Sequence, residues 1–184
     1  MTKTLTTIRF KAKLLLPAET GNGDSWTFLI LPKNASVKLP SRSMTAVEGT
    51  INGVAFQAVL EPDGAKSHWL KVDRKLSEAA GAEPGDVVIL EIAPAAEEPE
   101  PILPADLRTA LAGAQPKARD VWSNITSIAR RDWIQWITSA KQAETRARRI
   151  KNVCSMLASG KRRPCCFDRS GFYSKTFSAP KAAV

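Results

Sequence analysis

The side chains with the most chemistry to offer are basic ones. Arg130, Arg131, Arg146, Arg148, Arg149, Lys151, Lys161, Arg162 and Arg163 crowd one stretch of the chain, with Trp122, Trp133 and Trp136 close by in sequence. Guanidinium and ammonium groups at this density suit an anion, and indole rings among them offer flat platforms on which nucleic-acid bases stack. Arg130, Arg131, Arg148, Arg149, Lys151, Lys161, Arg162 and Arg163 are therefore the candidate anion-binding residues. The plainer alternative is that the tryptophans fill a small helical core and the arginines form a solvated face. The pattern leaves both open, with a polyanion or an acidic protein as the partner the basic set would suit.

Catalytic chemistry has less to build on. His68 is the only histidine, so no second imidazole supports it and no Ser-His-Asp or Cys-His arrangement extends beyond this one ring. A lone histidine beside Trp69 on a strand reads as structural or as surface. Cys165 and Cys166 are adjacent and follow Pro164; neighbouring cysteines rarely form a relaxed disulfide, and with Cys154 they supply only three sulfur ligands. No Gly-x-Gly-x-x-Gly, phosphate-binding loop or His-Glu-x-x-His pattern occurs. No catalytic residue, metal ligand or cofactor is assigned, and a non-enzymatic protein is expected.

The charge is divided unevenly. Residues 1–100 hold 11 Lys+Arg against 13 Asp+Glu, and residues 101–184 hold 16 against 5, so the net +9 sits on the second part. An anion-facing surface belongs there. The composition, 43% hydrophobic and 24% charged, is that of an ordinary globular protein. The early run Leu14-Leu15-Leu16 stops at Pro17, and no apolar stretch of 18 residues occurs elsewhere, so neither a signal-peptide core nor a membrane-spanning helix is expected. Three cysteines make no disulfide framework, which favours a reduced, cytoplasmic setting.

The elements that must position these residues fall into two groups. Ile8, Phe10, Ala12 and Leu14 alternate with Arg9, Lys11 and Lys13, the period of a half-buried strand. A loop over 19–24 leads to a second strand, Trp26 to Ile30. Asn52-Gly53 between apolar alternations predicts a two-residue type I′ hairpin joining strands near 45–51 and 54–60. A strand over 69–72, a helical piece from Arg74 to Ala80 and a strand over 87–92 complete a small antiparallel β-barrel. The stretch 94–101, with three prolines and three glutamates among its neighbours, reads as an extended, self-repelling linker. Beyond it, helices are expected over 105–112 and 117–123, then one capped by Thr126 or Ser127. A last helix to about Ser159 is expected to open on a capping box at Ser139. On that last helix Ala143, Ala147, Ile150, Val153, Cys154 and Leu157 share one stripe, and Arg146 falls inside it. Arg146 is therefore expected to be a buried structural charge, with Asp120 or Asp132 as partner. Arg148 lies on the opposite face.

Leu70-Lys71-Val72-Asp73-Arg74-Lys75-Leu76 through Gly81, followed by Pro84-Gly85-Asp86-Val87-Val88, resembles the small barrel domain of unknown function that heads many YdeI/OmpD-associated proteins. The Gly-Asp before an apolar strand also resembles the swapped-hairpin barrels of bacterial transition-state regulators and antitoxins. This resemblance covers about residues 5–93 and implies a double-split-barrel architecture. Glu144-Thr145-Arg146-Ala147-Arg148-Arg149-Ile150 with Gly160-Lys161-Arg162, and Trp136-Ile137 before Ala140-Lys141, resemble the C-terminal region of the same family, often labelled bacteriocin-protection. That resemblance covers about 101–163 and implies a link with antimicrobial-peptide or bacteriocin tolerance.

The expected architecture is thus α+β. A double-split-barrel-like β-barrel over 1–93 is followed by a linker over 94–103, a basic region of three to four helices over 104–163, and a flexible tail over 164–184. Two functions from different classes follow. One is a non-catalytic binding or stress-tolerance protein, and the other a nucleic-acid-binding regulator that uses the basic helical half.

Overall fold

The computed structural model describes residues 6–21, 23, 25–165, 167–175 and 177–183. The chain forms two compact units, one of residues 1–96 with 168–184 and the other of residues 97–167. It is α+β: a curled six-stranded antiparallel sheet in the first unit and four helices in the second.

The β unit is built from β1 (Ile8–Lys13), β2 (Trp26–Ile30), a single turn of helix α1 (Lys33–Ser36), β3 (Thr45–Ile51), β4 (Val54–Pro62), β5 (His68–Asp73), α2 (Arg74–Ala79) and β6 (Val87–Pro94). The spatial order is β1-β6-β3-β4-β5-β2, every pairing antiparallel. Beyond β1 the chain meets β2: Leu15 and Phe28 exchange both backbone bonds, at 2.7 and 2.9 Å, which curls the sheet toward closure. The alternation on β1 is obeyed, with Ile8, Phe10 and Ala12 buried and Arg9, Lys11 and Lys13 exposed. Leu14, Ile51, Leu60, Val72, Val88 and Leu90 fill the interior of the curl, all without solvent exposure. The interior is thus a packed core, mainly of aliphatic side chains with Phe10 and Phe56 among them.

Two residues at the β3–β4 hairpin explain its shape. Asn52 and Gly53 both have positive φ, 47° and 83°, as a type I′ turn requires. The Asn52 amide goes further than the turn: its oxygen accepts from the Ile89 N–H at 2.9 Å and its nitrogen donates to the Ala80 carbonyl at 3.3 Å. The tip is thereby tied to β6 and to the end of α2. Gly49, opposite Ile92, is needed for another reason. A Cβ there would strike the Glu91 carbonyl and lie 2.8 Å from the Ile92 Cα, so only glycine lets β3 and β6 approach.

The segment read above as a tail from 164 returns in part to the β unit. Ala18 N–H donates to the Lys181 carbonyl at 2.8 Å, and Ala183 N–H to the Leu16 carbonyl at 2.7 Å. Lys66 and Lys175 each place an ammonium 4.6 Å from the centre of the Phe172 ring. Asp168 organises the 168–174 loop. Burial opposes its ionisation, but donors from the Ser174 and Tyr173 backbone and the Ser170 and Ser174 hydroxyls outweigh this and bring its carboxyl down to about 2.

The helical unit contains α3 (Ala105–Ala112), α4 (Pro116–Asn124), α5 (Ser127–Thr138) and α6 (Ala143–Ala158). Pro116 opens α4 at its first turn, and the Thr126 hydroxyl accepts from the Ala129 N–H at 3.1 Å to cap α5. Ser139 does not form a capping box. It follows α5 as that helix's C-terminal cap, its hydroxyl donating to the Trp136 carbonyl at 2.9 Å, and α6 starts four residues later after Gln142. Leu107, Ala118, Trp133, Ile137, Val153 and Leu157 form the fully enclosed centre.

Candidate anion-binding site

The basic residues of the helical unit separate into two kinds once their partners are known. On α5, Arg130 donates to Glu100 at 2.7 Å, to the Trp122 carbonyl at 3.0 Å and to the Ser123 carbonyl at 2.9 Å. Its neighbour Arg131 pairs with Glu98 and keeps only 9% of its side chain exposed. The Ser127 hydroxyl also donates to Glu100, at 2.6 Å; this bond and the Arg130 guanidinium hold that carboxyl below its usual range. Both arginines are therefore engaged by the acidic segment that precedes α3, and neither is open to an outside anion.

Arg149 is engaged as well. Its guanidinium donates to the Trp136 carbonyl at 2.6 Å and the Ser139 hydroxyl at 3.0 Å, and it lies 5.3 Å from the centre of the Trp136 ring. It fastens the end of α5 to α6. Arg162 donates to the Asn124 carbonyl at 3.0 Å while its own carbonyl accepts from the Trp133 indole at 3.0 Å. The Arg163 guanidinium stands 3.9 Å from the buried Asp132 carboxylate, with 54% of its own side chain exposed.

Arg148, Lys151 and Lys161 are different. All three are exposed, and among the described residues their side chains have no ion-pair or hydrogen-bond partner. Arg148 and Lys151 are three positions apart on α6, hence on one side of the helix, with the exposed Asn152 and Ser155. Lys161 begins the exposed Lys161-Arg162-Arg163 run that the Trp133 and Asn124 contacts hold beside α4 and α5. These outward side chains make the exposed surface of α6 and the following turn mainly positive; the one carboxylate on α6, the exposed Glu144, lies a turn before Arg148 and not at ion-pair distance.

Two expectations need correction. Arg146 is not the buried charge. About a third of its side chain is exposed, and its fork holds Asp106, Nε to Oδ2 at 2.7 Å and the second nitrogen to Oδ1 at 3.0 Å. The bond to Arg146 holds the Asp106 carboxyl below its usual range, and Arg146 is correspondingly raised. The partner lies on α3, in neither α4 nor α5, because the edge of the α6 stripe faces the start of α3. Arg131 is the buried arginine. The second correction concerns the aromatic platforms. Trp133 is wholly enclosed, packed edge-to-face with Trp136 at 6.1 Å, and Trp122 and Trp136 are half-buried in the same core. Trp133 is closed to base stacking, and the Arg149 guanidinium already lies over the Trp136 ring.

His68 lies on β5 with no solvent exposure. Its Nε2–H donates to the Ser43 carbonyl at 2.9 Å, which leaves Nδ1 to accept the Ser36 hydroxyl at 2.7 Å. Burial pushes its pKa down, only partly offset by the Ser43 bond and the nearby Asp63. The distances match those of a hydroxyl–imidazole pair in a hydrolase, but Ser36 is as enclosed as the ring. The pair fastens α1 and the 41–45 loop to β5. Cys154 is half-buried and its thiol is pushed up by burial; Cys165 is exposed, and Cys166 lies outside the described residues.

Sequence reasoning missed Glu98 and Glu100 as partners of α5. The signal was available: Ile128, Ala129, Trp133, Ile134, Trp136 and Ile137 leave α5 no fully polar side, and charges on a helix enclosed all round require partners.

This combination of a curled β unit and a basic helical unit corresponds to two known sequence families. The first unit belongs to a domain of unknown function, DUF1905, which matches residues 10–92. The helical unit belongs to the family described as bacteriocin-protection, YdeI or OmpD-associated, which matches residues 100–160. The chain is a YdeI/OmpD-associated protein headed by a DUF1905 domain. No curated protein matches it. Among the described residues, no helix is long and apolar enough to cross a membrane.

Proposed function

We propose that this protein is a non-catalytic, cytoplasmic binding protein whose helical unit recognises an acidic macromolecule through charge. The observation that carries this reading is the sorting of the arginines. Arg130, Arg131, Arg146 and Arg149 are engaged within the unit, while Arg148, Lys151 and Lys161 point their charge outward without a carboxylate partner among the described residues. Outward charge without internal partners raises the local concentration of anions and speeds their capture. The enclosure of Ser36 and His68 supports a binding role, because no substrate reaches that pair without local unfolding. Three cysteines, two of them adjacent, make no disulfide framework in the sequence, which supports the cytoplasmic setting. The family's label, bacteriocin protection, supports a part in tolerance to such agents.

Nucleic acid is the second reading, narrowed by the enclosure of Trp133 to recognition of the phosphate backbone. The test is anisotropy of fluorescein-labelled poly-L-glutamate and of a labelled DNA duplex, with the full chain and with the combined Arg148→Gln, Lys151→Gln, Lys161→Gln variant. Loss of binding to either probe in the variant supports the reading. Unchanged binding to both would remove this face as the site.

A further inference from the structure

We propose that the cleft between β2, β5 and α2 of the β unit binds a small organic anion that carries a flat unsaturated ring. The cleft is an open groove of about 660 Å³, closed on one side by Thr20, Gly21, Gly23 and Ser25, and its lining is exposed apart from the half-buried Trp26. This proposal is independent of the helical unit and its cationic face.

The platform for a ring is Trp26, half-buried on β2 and lining the cleft. Its position is held by an aromatic cluster. Phe28, wholly enclosed, lies 6.2 Å from it, Trp69 lies 6.4 Å from it, and Phe28 and Trp69 meet edge-to-face at 6.2 Å. An indole held in this way offers a face to a ligand at little cost in ordering.

The cations come from β5 and α2. Phe28 is paired with Lys71 and Trp26 with Asp73, so Lys71 stands diagonally across from Trp26 on the same side of the sheet. Its ammonium lies 4.9 Å from the centre of the Trp26 ring. Lys75 follows on α2 and lines the same cleft. The acids of the lining are committed to other contacts. Asp73 accepts from the Leu76 N–H at 2.8 Å as the cap of α2, and Glu78 holds Arg74 at 2.7 Å. Lys71 and Lys75 have no carboxylate at ion-pair distance among the described residues. Glu61, half-buried opposite Trp69, acts on Lys71 only at longer range, and burial raises its carboxyl above the usual value.

An aromatic platform with two ammonium groups that have no carboxylate at ion-pair distance among the described residues selects both features together. A ring settles on Trp26 while its carboxylate or phosphate draws Lys71 off the indole face and toward Lys75. A ring bearing an ammonium meets Lys71 and Lys75 with like charge.

The test uses indole-3-acetate and tryptamine, which share a ring and differ in charge, titrated into the full chain and followed in amide and indole N–H correlation spectra. Indole-3-acetate is expected to shift the Trp26 indole N–H saturably, and tryptamine to leave it in place. Lys75→Gln and Lys71→Gln, both at exposed positions, are expected to keep the wild-type melting temperature. Each should weaken binding about tenfold, as loss of one charged hydrogen bond does. Equal shifts by tryptamine, shifts centred on Trp133 or Trp136, or wild-type affinity in Lys75→Gln would each overturn the proposal.

Discussion

Lowering the pH should destabilise the β unit through His68. The ring has no solvent exposure, and its tautomer is set by the Ser43 carbonyl and the Ser36 hydroxyl. A second proton on Nδ1 would bury a charge in an enclosed site that also faces Arg42; the Ser36 hydroxyl could turn to accept it, but this and Asp63 only partly compensate. The folded state therefore resists protonation and the unfolded state does not. Stability from this group is fully present above the unfolded value of 6.5 and falls as the pH drops below it, toward the depressed folded value. If the folded ring took up no proton, going from about pH 7 to about pH 5 would remove about 2 kcal/mol, which is the upper limit. Glu61 acts in the opposite direction. Its carboxyl is raised by burial, so its contribution is present below the unfolded value and is lost as pH rises through the folded one. The assay is urea unfolding across this pH range for the wild type, His68→Gln and Glu61→Gln. The wild type should lose up to about 2 kcal/mol more than His68→Gln on acidification. Glu61→Gln should lose more than the wild type. Equal losses in the wild type and His68→Gln would refute the reasoning, because His68 is the only histidine in the chain.

Arg131→Ala should cost about 2–4 kcal/mol in urea unfolding, since it strips Glu98 of its partner in an enclosed site, and Arg146→Ala only about 0.5–1 because both members of its pair are substantially exposed. Arg148→Ala should be close to neutral by the same measurement, and a larger loss there than at Arg131 would reverse the assignment of buried and free charge. Gly49→Ala should cost about 3 kcal/mol or more, read as a fall in melting temperature, because the added methyl meets the β6 backbone rather than a movable side chain.

The period-2 strands, the Asn52-Gly53 turn and a cap at Thr126 or Ser127 were legible because each depends on neighbours in sequence. Arg131 and Arg146 were not. Helical angle places Arg146 at the edge of an apolar stripe, but how far the edge is covered depends on α3, whose approach no local pattern encodes. Glu98 and Glu100 read as repelling neighbours in an extended linker; across space each meets an arginine some thirty residues away in the chain. His68 illustrates the same limit. One histidine beside a tryptophan is legible as structural, whereas its bonds to Ser36 and Ser43 depend on a loop folding back over β5. For the cationic face, residue type and charge density were legible, and the division between engaged and outward side chains required the fold. Of the two readings left open for Trp122, Trp133 and Trp136, the core is the one that holds for Trp133 in full and for the other two in part, because a unit this small needs its largest rings in its core.

The central claim is that outward charge on α6 and the 161–163 run, rather than the engaged arginines of α5, contacts an acidic partner. The most direct measurement is the dependence of duplex-DNA affinity on salt concentration, for the full chain and for the combined Arg148→Gln, Lys151→Gln, Lys161→Gln variant. Each cation in contact with phosphate contributes about 0.9 to the slope of log affinity against log salt, so the variant's slope should be shallower by about 2–3. An identical slope in the two proteins would contradict the account, as would a variant that binds as tightly as the wild type at low salt.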